Sequence, residues 1–198
     1  VGVDNVDVPA ATQRGVLVVN SPEGNTIAAA EHALALLLSL SRHVPQAHGS
    51  MRAGAWDRKK YVGNELYKKV LGVVGLGKIG SHVTKVAKAM GMNVIAFDPF
   101  VSAERAQQMQ VRLTTLEDLF RQADYITLHI PRTPDTENLV NAELLRTMKP
   151  TARIVNCARG GIVDEAAIAG AIETGVIAGA GLDVFASEPL AQDSPLRG

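Results

Sequence analysis

Short apolar runs alternate with stretches of helical spacing from residue 70 to near the end of the chain. A short unbroken apolar run predicts a buried strand, and apolar residues at every third or fourth position predict a helix. The predicted strands are 70–74, 93–97, 111–113, 125–129, 153–156 and 177–183. The predicted helices are 78–90, 102–110, 114–121 with a Thr114–Glu117 capping box, a short helix capped by Asn141, and 164–174. This alternation predicts an α/β fold, a doubly wound parallel sheet covered by helices on both faces.

The pattern before residue 70 is less regular. It predicts a helix over 8–14 with Asp7 as its N-cap, a buried strand over 16–19, and a helix over 26–42. A further helix is predicted from Pro45 to about residue 55. The helix over 26–42 is apolar almost all round, so we expect it to be covered on every side, between domains or at a subunit contact.

A glycine-rich loop, Gly75-Leu76-Gly77-Lys78-Ile79-Gly80, joins the first strand of the regular region to its helix. Gly75 permits a tight turn, Gly77 lets a pyrophosphate approach the backbone, and Gly80 lets the helix pack close to the sheet. The N-terminus of the helix offers N–H groups and a partial positive charge to phosphates. A loop of this form is weak evidence alone, but here it follows a strand and opens a helix.

Asp98 ends the next predicted strand, 23 residues after Gly75. An acid at this spacing accepts hydrogen bonds from the ribose hydroxyls of a dinucleotide and repels a 2′-phosphate. The loop and the acid together predict an NAD site that disfavours NADP.

Composition excludes several other classes of protein. The 20 basic and 20 acidic residues give a formal net charge of zero, so no broad basic field predicts nucleic-acid binding. Cys157 is the only cysteine, which excludes a disulfide framework and a cysteine-based metal cluster, and favours a reducing, cytoplasmic setting. The apolar run 27–40 is too short for a membrane span and contains Glu31 and His32. We expect no metal, nucleic-acid partner or membrane.

Polar residues follow three other predicted strands. They are His129-Ile130-Pro131, Asn156-Cys157-Ala158-Arg159-Gly160-Gly161, and Asp183 with the later Glu188. The carboxyl ends of parallel strands share one edge of a sheet, so we expect these groups above the cofactor. The guanidinium of Arg159 suits a two-point contact with a substrate carboxylate, beside two glycines that keep its surroundings open. A surface arginine or one paired with Asp164 is the simpler alternative, and a solvated loop acid is the simpler interpretation of Glu188.

Three further interpretations concern single residues. Asp183 ends an apolar strand, where burial of an unpaired carboxylate is costly, and this favours a function. Among the histidines, His129 is the one placed to contact a ligand, whereas His32 is interpreted as a satisfied residue on a buried helix. Cys157 is interpreted as a small residue lining the cofactor pocket rather than a reactive thiol.

These motifs together resemble the NAD-dependent D-2-hydroxyacid dehydrogenases. The resemblance is carried by Gly2-Val3-Asp4-Asn5-Val6-Asp7, Asn20-Ser21-Pro22-Glu23-Gly24-Asn25, the glycine loop, Phe97-Asp98-Pro99, 155–165 (VNCARGGIVDE) and 181–189 (GLDVFASEP). It implies a Rossmann domain, NAD as cofactor, a small 2-hydroxy acid as substrate, and a homodimer or higher homo-oligomer. The segment 155–165 resembles the branch of the family that oxidises 3-phosphoglycerate at C2 in serine biosynthesis.

The resemblance also implies roles for single residues. Arg159 matches the catalytic arginine that binds the substrate carboxylate, and Glu188 matches the glutamate that hydrogen-bonds the catalytic histidine. Asp98 matches the ribose-binding acid, Lys78 and Ile79 match backbone contacts to the pyrophosphate, and Gly24 and Asn25 match the loop near the substrate. Ile130, Cys157 and Asp183 match positions that line the adenosine and nicotinamide pockets. The predicted cofactor contacts also include His129, Pro131, Ala158 and Arg159.

The family's catalytic histidine lies in a His-x-Gly motif after a further strand, which we expect to lie beyond residue 198. Residues 1–20 then represent a remnant of a substrate domain and the interdomain crossing, and residues 21–198 represent the dinucleotide-binding domain. We expect the 198 residues alone to bind NAD without turnover. Two alternatives remain open: a relative acting on glyoxylate, hydroxypyruvate or D-lactate, and a non-enzymatic NAD-sensing co-repressor. A hydrolase of adenosylhomocysteine is a more distant third.

Overall fold

The computed structural model describes residue 3, residues 6–21 and residues 24–197. Its strands are β1 (Val70–Val74), β2 (Asn93–Phe97), β3 (Arg112–Leu113), β4 (Tyr125–Leu128), β5 (Arg153–Asn156) and β6 (Gly179–Leu182). Its helices are α1 (Val8–Gln13), α2 (Thr26–Arg42), α3 (Val44–Arg52), α4 (Lys78–Ala89), α5 (Ala103–Gln108), α6 (Leu116–Gln122), α7 (Ala142–Arg146) and α8 (Glu165–Glu173). A short 3₁₀ turn follows at Pro195–Arg197.

The six strands form one parallel sheet in the order β3-β2-β1-β4-β5-β6. From β1 the chain moves outward through β2 and β3, then returns to the other side of β1 and continues through β4 to β6. The strand order therefore reverses between β1 and β4, and ligands of such sheets bind outside the carboxyl ends of the strands at that point. The predicted doubly wound parallel sheet is confirmed.

The strands are buried on both faces because alternate side chains enter two separate cores. One core contains Leu71 and Val73 of β1 and is covered by α2 and α4. The other contains Val74 of β1 and is covered by α6, α7 and α8. This arrangement explains why the strand segments are mostly apolar instead of alternating regularly between apolar and polar residues.

Helix α2 is fixed to the sheet by both polar and apolar contacts. The hydroxyl of Ser41 donates a hydrogen bond of 2.6 Å to the hydroxyl of Tyr125 on β4, and both residues are buried. Leu36 and Leu40 pack against Gly181 of β6, where an added Cβ atom would lie 3.3 and 3.2 Å from them. The helix therefore runs along the sheet above β5 and β6.

The predicted buried strand over 16–19 is wrong. These residues adopt no strand conformation, and Val16, Leu17 and Val19 are 57%, 85% and 76% exposed. The edges of the sheet are β3 and β6, and in the described part of the chain no strand lies beside the segment to pair with it. An apolar run forms a strand only where a neighbouring strand can accept its backbone hydrogen bonds.

Within this chain the helix over 26–42 is covered on one side only, so its cover by another domain or subunit stays a prediction. Ala30, Ala33, Leu34 and Leu37 are buried, but Glu31 and Ala35 are exposed on the other side of the helix. Ile27 and Leu38 are 49% and 39% exposed. A single stripe of apolar residues meets the sheet, as in an ordinary surface helix.

Smaller differences concern the ends of elements. The N-cap of α6 is Thr115 and not Thr114, because the helix begins at Leu116 and the Thr115 side chain accepts a hydrogen bond of 3.2 Å from the amide of Asp118. Strand β6 covers 179–182 rather than 177–183, and α5 is shorter at both ends than predicted. The predicted caps Asp7 and Asn141 are confirmed by bonds to Ala10 and Leu144.

Across the described residues, every helix is too short or too polar to cross a lipid bilayer.

Candidate functional site

The three glycines of the loop after β1 have different surroundings. Gly80, in the first turn of α4, is so close to β1 that an added Cβ atom would lie 1.9 Å from the carbonyl oxygen of Gly75. Gly75 has φ +94°, and its Cβ would lie 2.5 Å from the carbonyl oxygen of His129. At Gly77 nothing lies within 4 Å of an added Cβ atom. The protein's own packing therefore explains glycine at 75 and 80, whereas Gly77 opens onto space that a ligand can fill.

Helix α4 points its N-terminus at this space. Its N-cap is Gly77, which has no side chain to cap the first turn. The amides of Ile79 and Gly80 lie in that first turn, where no helical carbonyl precedes them by four residues. With Lys78 at the first helical position, the loop combines backbone donors, a helix dipole and an adjacent cation, which suits a phosphate.

Asp98 lies directly beside the glycine loop. Its Oδ2 accepts a hydrogen bond of 2.7 Å from the amide of Leu76, and its Oδ1 accepts one of 2.8 Å from the amide of Phe100. Each carboxylate oxygen can accept a second bond. The contact with Leu76 fixes the acid at the edge of the loop, which is the position that a ribose-binding residue requires.

His129, Ile130 and Pro131 follow β4 on the other side of the loop. The carbonyl of His129 and the side chain of Ile130 both lie within 3 Å of the Cβ position of Gly75. The imidazole of His129 does not extend freely into the crevice, because its Nε2 lies 2.9 Å from Oγ1 of Thr127. The burial of this ring lowers the pKa of His129 to about 4, so the imidazole is neutral at physiological pH.

Asn156 organises the loop that carries Arg159, a function that the sequence did not reveal. This residue is 1% exposed. Its Oδ1 accepts a 3.0 Å hydrogen bond from the amide of Ala158, and its Nδ2 donates a 3.0 Å bond to the carbonyl of Arg159. A polar residue at the end of an apolar strand was the only signal that could have indicated this role. The half-buried Arg159 thus stands on a backbone held by a buried amide.

The expectation that two glycines keep the surroundings of Arg159 open is wrong. An added Cβ at Gly160 would lie 1.8 Å from the carbonyl oxygen of Phe185, and one at Gly161 would lie 2.9 Å from the Arg132 guanidinium carbon. Both glycines permit close packing. The loop of Arg159 is therefore pressed against the segment that leads to Glu188.

Glu188 is exposed and belongs to that packed segment. Its Oε1 accepts a hydrogen bond of 3.1 Å from the amide of Phe185. A second acid, Glu165 of α8, accepts a 2.6 Å bond from the amide of Ala186. The backbone around Glu188 is thus held from two sides, and the carboxylate retains capacity for another donor.

The structure corrects two expectations, one about Asp183 and one about His32. The side chain of Asp183 is 47% exposed rather than buried, because β6 ends at Leu182 and the carboxylate lies at the rim. The imidazole of His32 is 49% exposed, and its Nε2 lies 3.0 Å from Oδ1 of Asp183. His32 therefore belongs to the rim of the site and not to a buried helix face. Its position 151 residues away along the chain left no local signal for the pairing.

Cys157 is half-buried next to this pair. Burial and the negative charge of Asp183 raise the pKa of its thiol to about 12, so it carries a proton at neutral pH. A neutral thiol is a poor nucleophile, which supports the interpretation of Cys157 as a lining residue.

The remaining substrate candidates, Gly24 and Asn25, lie just before α2, and Asn25 is its N-cap. The motif residues Gly2, Asp4, Asn5, Pro22 and Glu23 lie outside the described residues. Apart from these, the predicted site residues all follow carboxyl ends of strands or begin α2 or α4.

Comparison with known proteins identifies this arrangement. Residues 34–198 match the model of the D-isomer specific 2-hydroxyacid dehydrogenase, NAD binding domain. The chain belongs to that family. It is an NAD-binding domain.

Individual relatives agree with this assignment. The chain is 65% identical over 192 residues to D-3-phosphoglycerate dehydrogenase of Synechocystis sp., covering 97% of this chain and 35% of the relative. It matches the TT0316 protein of Thermus thermophilus with TM-score 0.92 and 40% identity, over 100% of this chain and 62% of that one. D-lactate dehydrogenase of Aquifex aeolicus, solved with NAD and lactic acid, matches with TM-score 0.86 and 31% identity, over 99% and 62%. The chain thus spans about a third of the length of the curated relative.

The buried imidazole of His129 predicts a specific loss of stability in acid. Its pKa falls from 6.5 to about 4 on folding, so below pH 6.5 the unfolded chain binds a proton that the native state does not. The free energy of unfolding should therefore decrease as the pH falls from about 6.5 to about 4. NMR titration of the histidine rings should show one midpoint near pH 4 that disappears in His129→Gln.

Urea unfolding between pH 7 and pH 5 provides the second measurement, with His48→Gln on the exposed side of α3 as the matched control. His129→Gln should flatten the pH dependence of the free energy of unfolding relative to that control. A His129 midpoint above pH 6 would contradict the argument.

Proposed function

We propose that this chain is the coenzyme-binding part of a dehydrogenase that transfers hydride between C2 of 3-phosphoglycerate and NAD, with 3-phosphohydroxypyruvate as the other product. The observation that carries this proposal is the loop in which Gly77 opens to space between two packed glycines and Asp98 contacts Leu76. The choice of substrate is supported by the 65% identical relative, which is named D-3-phosphoglycerate dehydrogenase.

The proposed mechanism assigns one task to each group of residues along the carboxyl edge of the sheet. The dinucleotide supplies a hydride acceptor when it is bound. The first turn of α4 and Lys78 would hold its diphosphate, and Asp98 would accept hydrogen bonds from the ribose hydroxyls. The guanidinium of Arg159 binds the substrate carboxylate by two parallel hydrogen bonds and stabilises charge on the C2 oxygen. This places C2 in a fixed orientation above the sheet edge.

The proton of the C2 hydroxyl needs a general base. The family resemblance implies a histidine outside the 198 residues, and Glu188 would accept its second N–H and stabilise the imidazolium. The bond from Phe185 to Glu188 leaves the carboxylate able to accept that donor. Under this proposal the 198 residues bind the dinucleotide, and the histidine that removes the hydroxyl proton lies in another part of the protein.

The preference for NAD over NADP should depend on Asp98. Asp98→Asn loses charge-assisted bonds to the ribose and no longer repels a 2′-phosphate, so NADH should bind about tenfold more weakly while NADPH weakens less or gains. Fluorescence titration with both coenzymes measures the ratio of affinities. Asp118→Asn, an exposed acid of α6 paired with Arg121, is the control. An unchanged ratio in Asp98→Asn would exclude the proposed ribose contact.

The substrate is tested with the longer protein that contains these residues. We expect kcat/KM for 3-phosphoglycerate to exceed that for glyoxylate or D-lactate. Arg159→Lys keeps the charge but loses the planar guanidinium with its two parallel donors, and should lower kcat/KM about 100-fold. Arg146→Lys, exposed on α7, is the matched control.

Other outcomes separate the alternatives. Preference for glyoxylate, hydroxypyruvate or D-lactate would assign a different 2-hydroxy acid. NADH binding with no turnover of any 2-hydroxy acid by the longer protein would favour a co-repressor. Turnover by the 198 residues alone would overturn the assignment of the base to another part of the protein.

We also propose that residues 1–20 belong to an interdomain crossing and residues 21–198 to the dinucleotide-binding domain. The exposed apolar side chains of Val16, Leu17 and Val19 support a crossing that contacts another domain. A cytoplasmic location is proposed on the single, half-buried Cys157, which suits a reducing compartment.

The outward side of α2 supports a homodimer. Ile27 and Leu38 are 49% and 39% exposed there, beside the exposed Ala35. Self-association would remove this apolar stripe from water.

Leu38→Glu should therefore convert the dimer to a monomer in sedimentation velocity, because burial of an unpaired carboxylate opposes association. Ile172→Glu on α8 is the matched control, since Ile172 is 38% exposed on another surface. The proposed interface would be contradicted if the protein without substitutions is a monomer at high concentration, or if both variants dissociate equally.

A further inference from the structure

We infer that His32, Cys157 and Asp183 form a binding site for a Zn²⁺-class divalent cation at the rim of the sheet. One ligand atom of each side chain, an imidazole nitrogen, a thiol sulfur and a carboxylate oxygen, lies within 4.8 Å of the other two. The shortest separation is 3.0 Å between Nε2 of His32 and Oδ1 of Asp183.

The packing of α2 against β6 explains why these residues meet. Leu36 and Leu40 contact Gly181, and His32 lies one helical turn before Leu36 on the same side of α2. Asp183 lies two residues after Gly181, so it faces the same side of the sheet. The packing of α2 on the sheet therefore places His32 next to the end of β6.

The register of β5 and β6 brings in the third ligand. Val155 pairs with Gly181, so Cys157 and Asp183, each two residues further along, are neighbours on the same face. The ladder continues past the strand ends, because the amide of Asp183 donates a 3.0 Å hydrogen bond to the carbonyl of Asn156. Cys157 is thus held beside Asp183 by backbone contacts.

The donor set and its dimensions suit zinc. Sulfur, imidazole nitrogen and carboxylate oxygen are its three common ligands, and sites with three protein ligands leave the fourth position to water or another molecule. Tetrahedral bonds of ordinary length separate the ligand atoms by about 3.5 Å. The ligand atoms lie 3.0 to at most 4.8 Å apart, so their separations need to change by about 1.3 Å or less to reach this geometry. The side chains of His32 and Asp183 are roughly half-exposed and accessible from solvent.

Binding is a proton-for-metal exchange. The S–H bond of Cys157 breaks, a sulfur–metal bond forms, and the proton passes to water, since a coordinating thiol is deprotonated. The cation offsets the repulsion between the Asp183 carboxylate and the thiolate that forms when it binds.

Occupation of this site should block the coenzyme, a consequence that rests on the proposed function. Cys157 and Asp183 are both proposed to line the dinucleotide pocket. A cation bound between them occupies space and ligand atoms that the coenzyme needs. The cation and NAD(H) are thus expected to compete.

Cobalt(II) is the probe, because a thiolate bound to Co²⁺ gives a charge-transfer absorption band. Purified protein should develop this band on titration with Co²⁺, and Zn²⁺ should abolish it. Cys157→Ser should remove the band, while His32→Gln and Asp183→Asn should weaken Co²⁺ binding at least about tenfold, the loss expected for one ligand. His48→Gln on exposed α3 is the control for loss of a histidine.

Absence of the band, its survival in Cys157→Ser, or unchanged affinity in His32→Gln would each overturn the site. Addition of NADH should displace Co²⁺. If NADH binds by fluorescence while the band is unchanged, the overlap is overturned. If the band forms normally but NADH does not bind, the proposed function fails and the cation site stands.

Discussion

The close approach of α4 to the end of β1 is the constraint on which the site depends. The backbone at Gly80 leaves no room for a Cβ atom against the carbonyl of Gly75, and Gly75 in turn is pressed against His129. Three backbone segments therefore meet at the point where the strand order reverses. This contact directs the first turn of α4 towards open space at Gly77, where its amide groups can meet an anion.

The other half of the rim depends on α2 and on a buried amide. Leu36 and Leu40 set the height of α2 above β6, and Asn156 ties Ala158 and Arg159 into a fixed loop. The side chains of the candidate site thus stand on backbone that is held by packing and hydrogen bonds. Groups supported in this way keep their orientation without paying for it in ordering entropy when a ligand binds.

The exposed surfaces form a second pattern. Apolar residues of the segment 16–19 and of the outward side of α2 are accessible to solvent, although the sequence favoured burial for both. The apolar run over 16–19 does not form the predicted strand, because a strand also requires a neighbouring strand for its backbone hydrogen bonds. The pattern of α2 correctly predicted a helix, and the expected cover of its outward side by another domain or subunit stays a prediction.

The sequence by itself determined the alternation of strands and helices, the parallel sheet, the glycine loop and Asp98, because each depends on residues close together in the chain. It also placed the polar residues of the strand ends on one edge. Only the tertiary structure decided that His32 meets Asp183, that Asn156 holds the Arg159 loop, and that Gly160 packs on Phe185. These contacts join segments through the spacing of helix and sheet layers, and that spacing is set by the packing of the whole core rather than by any local pattern.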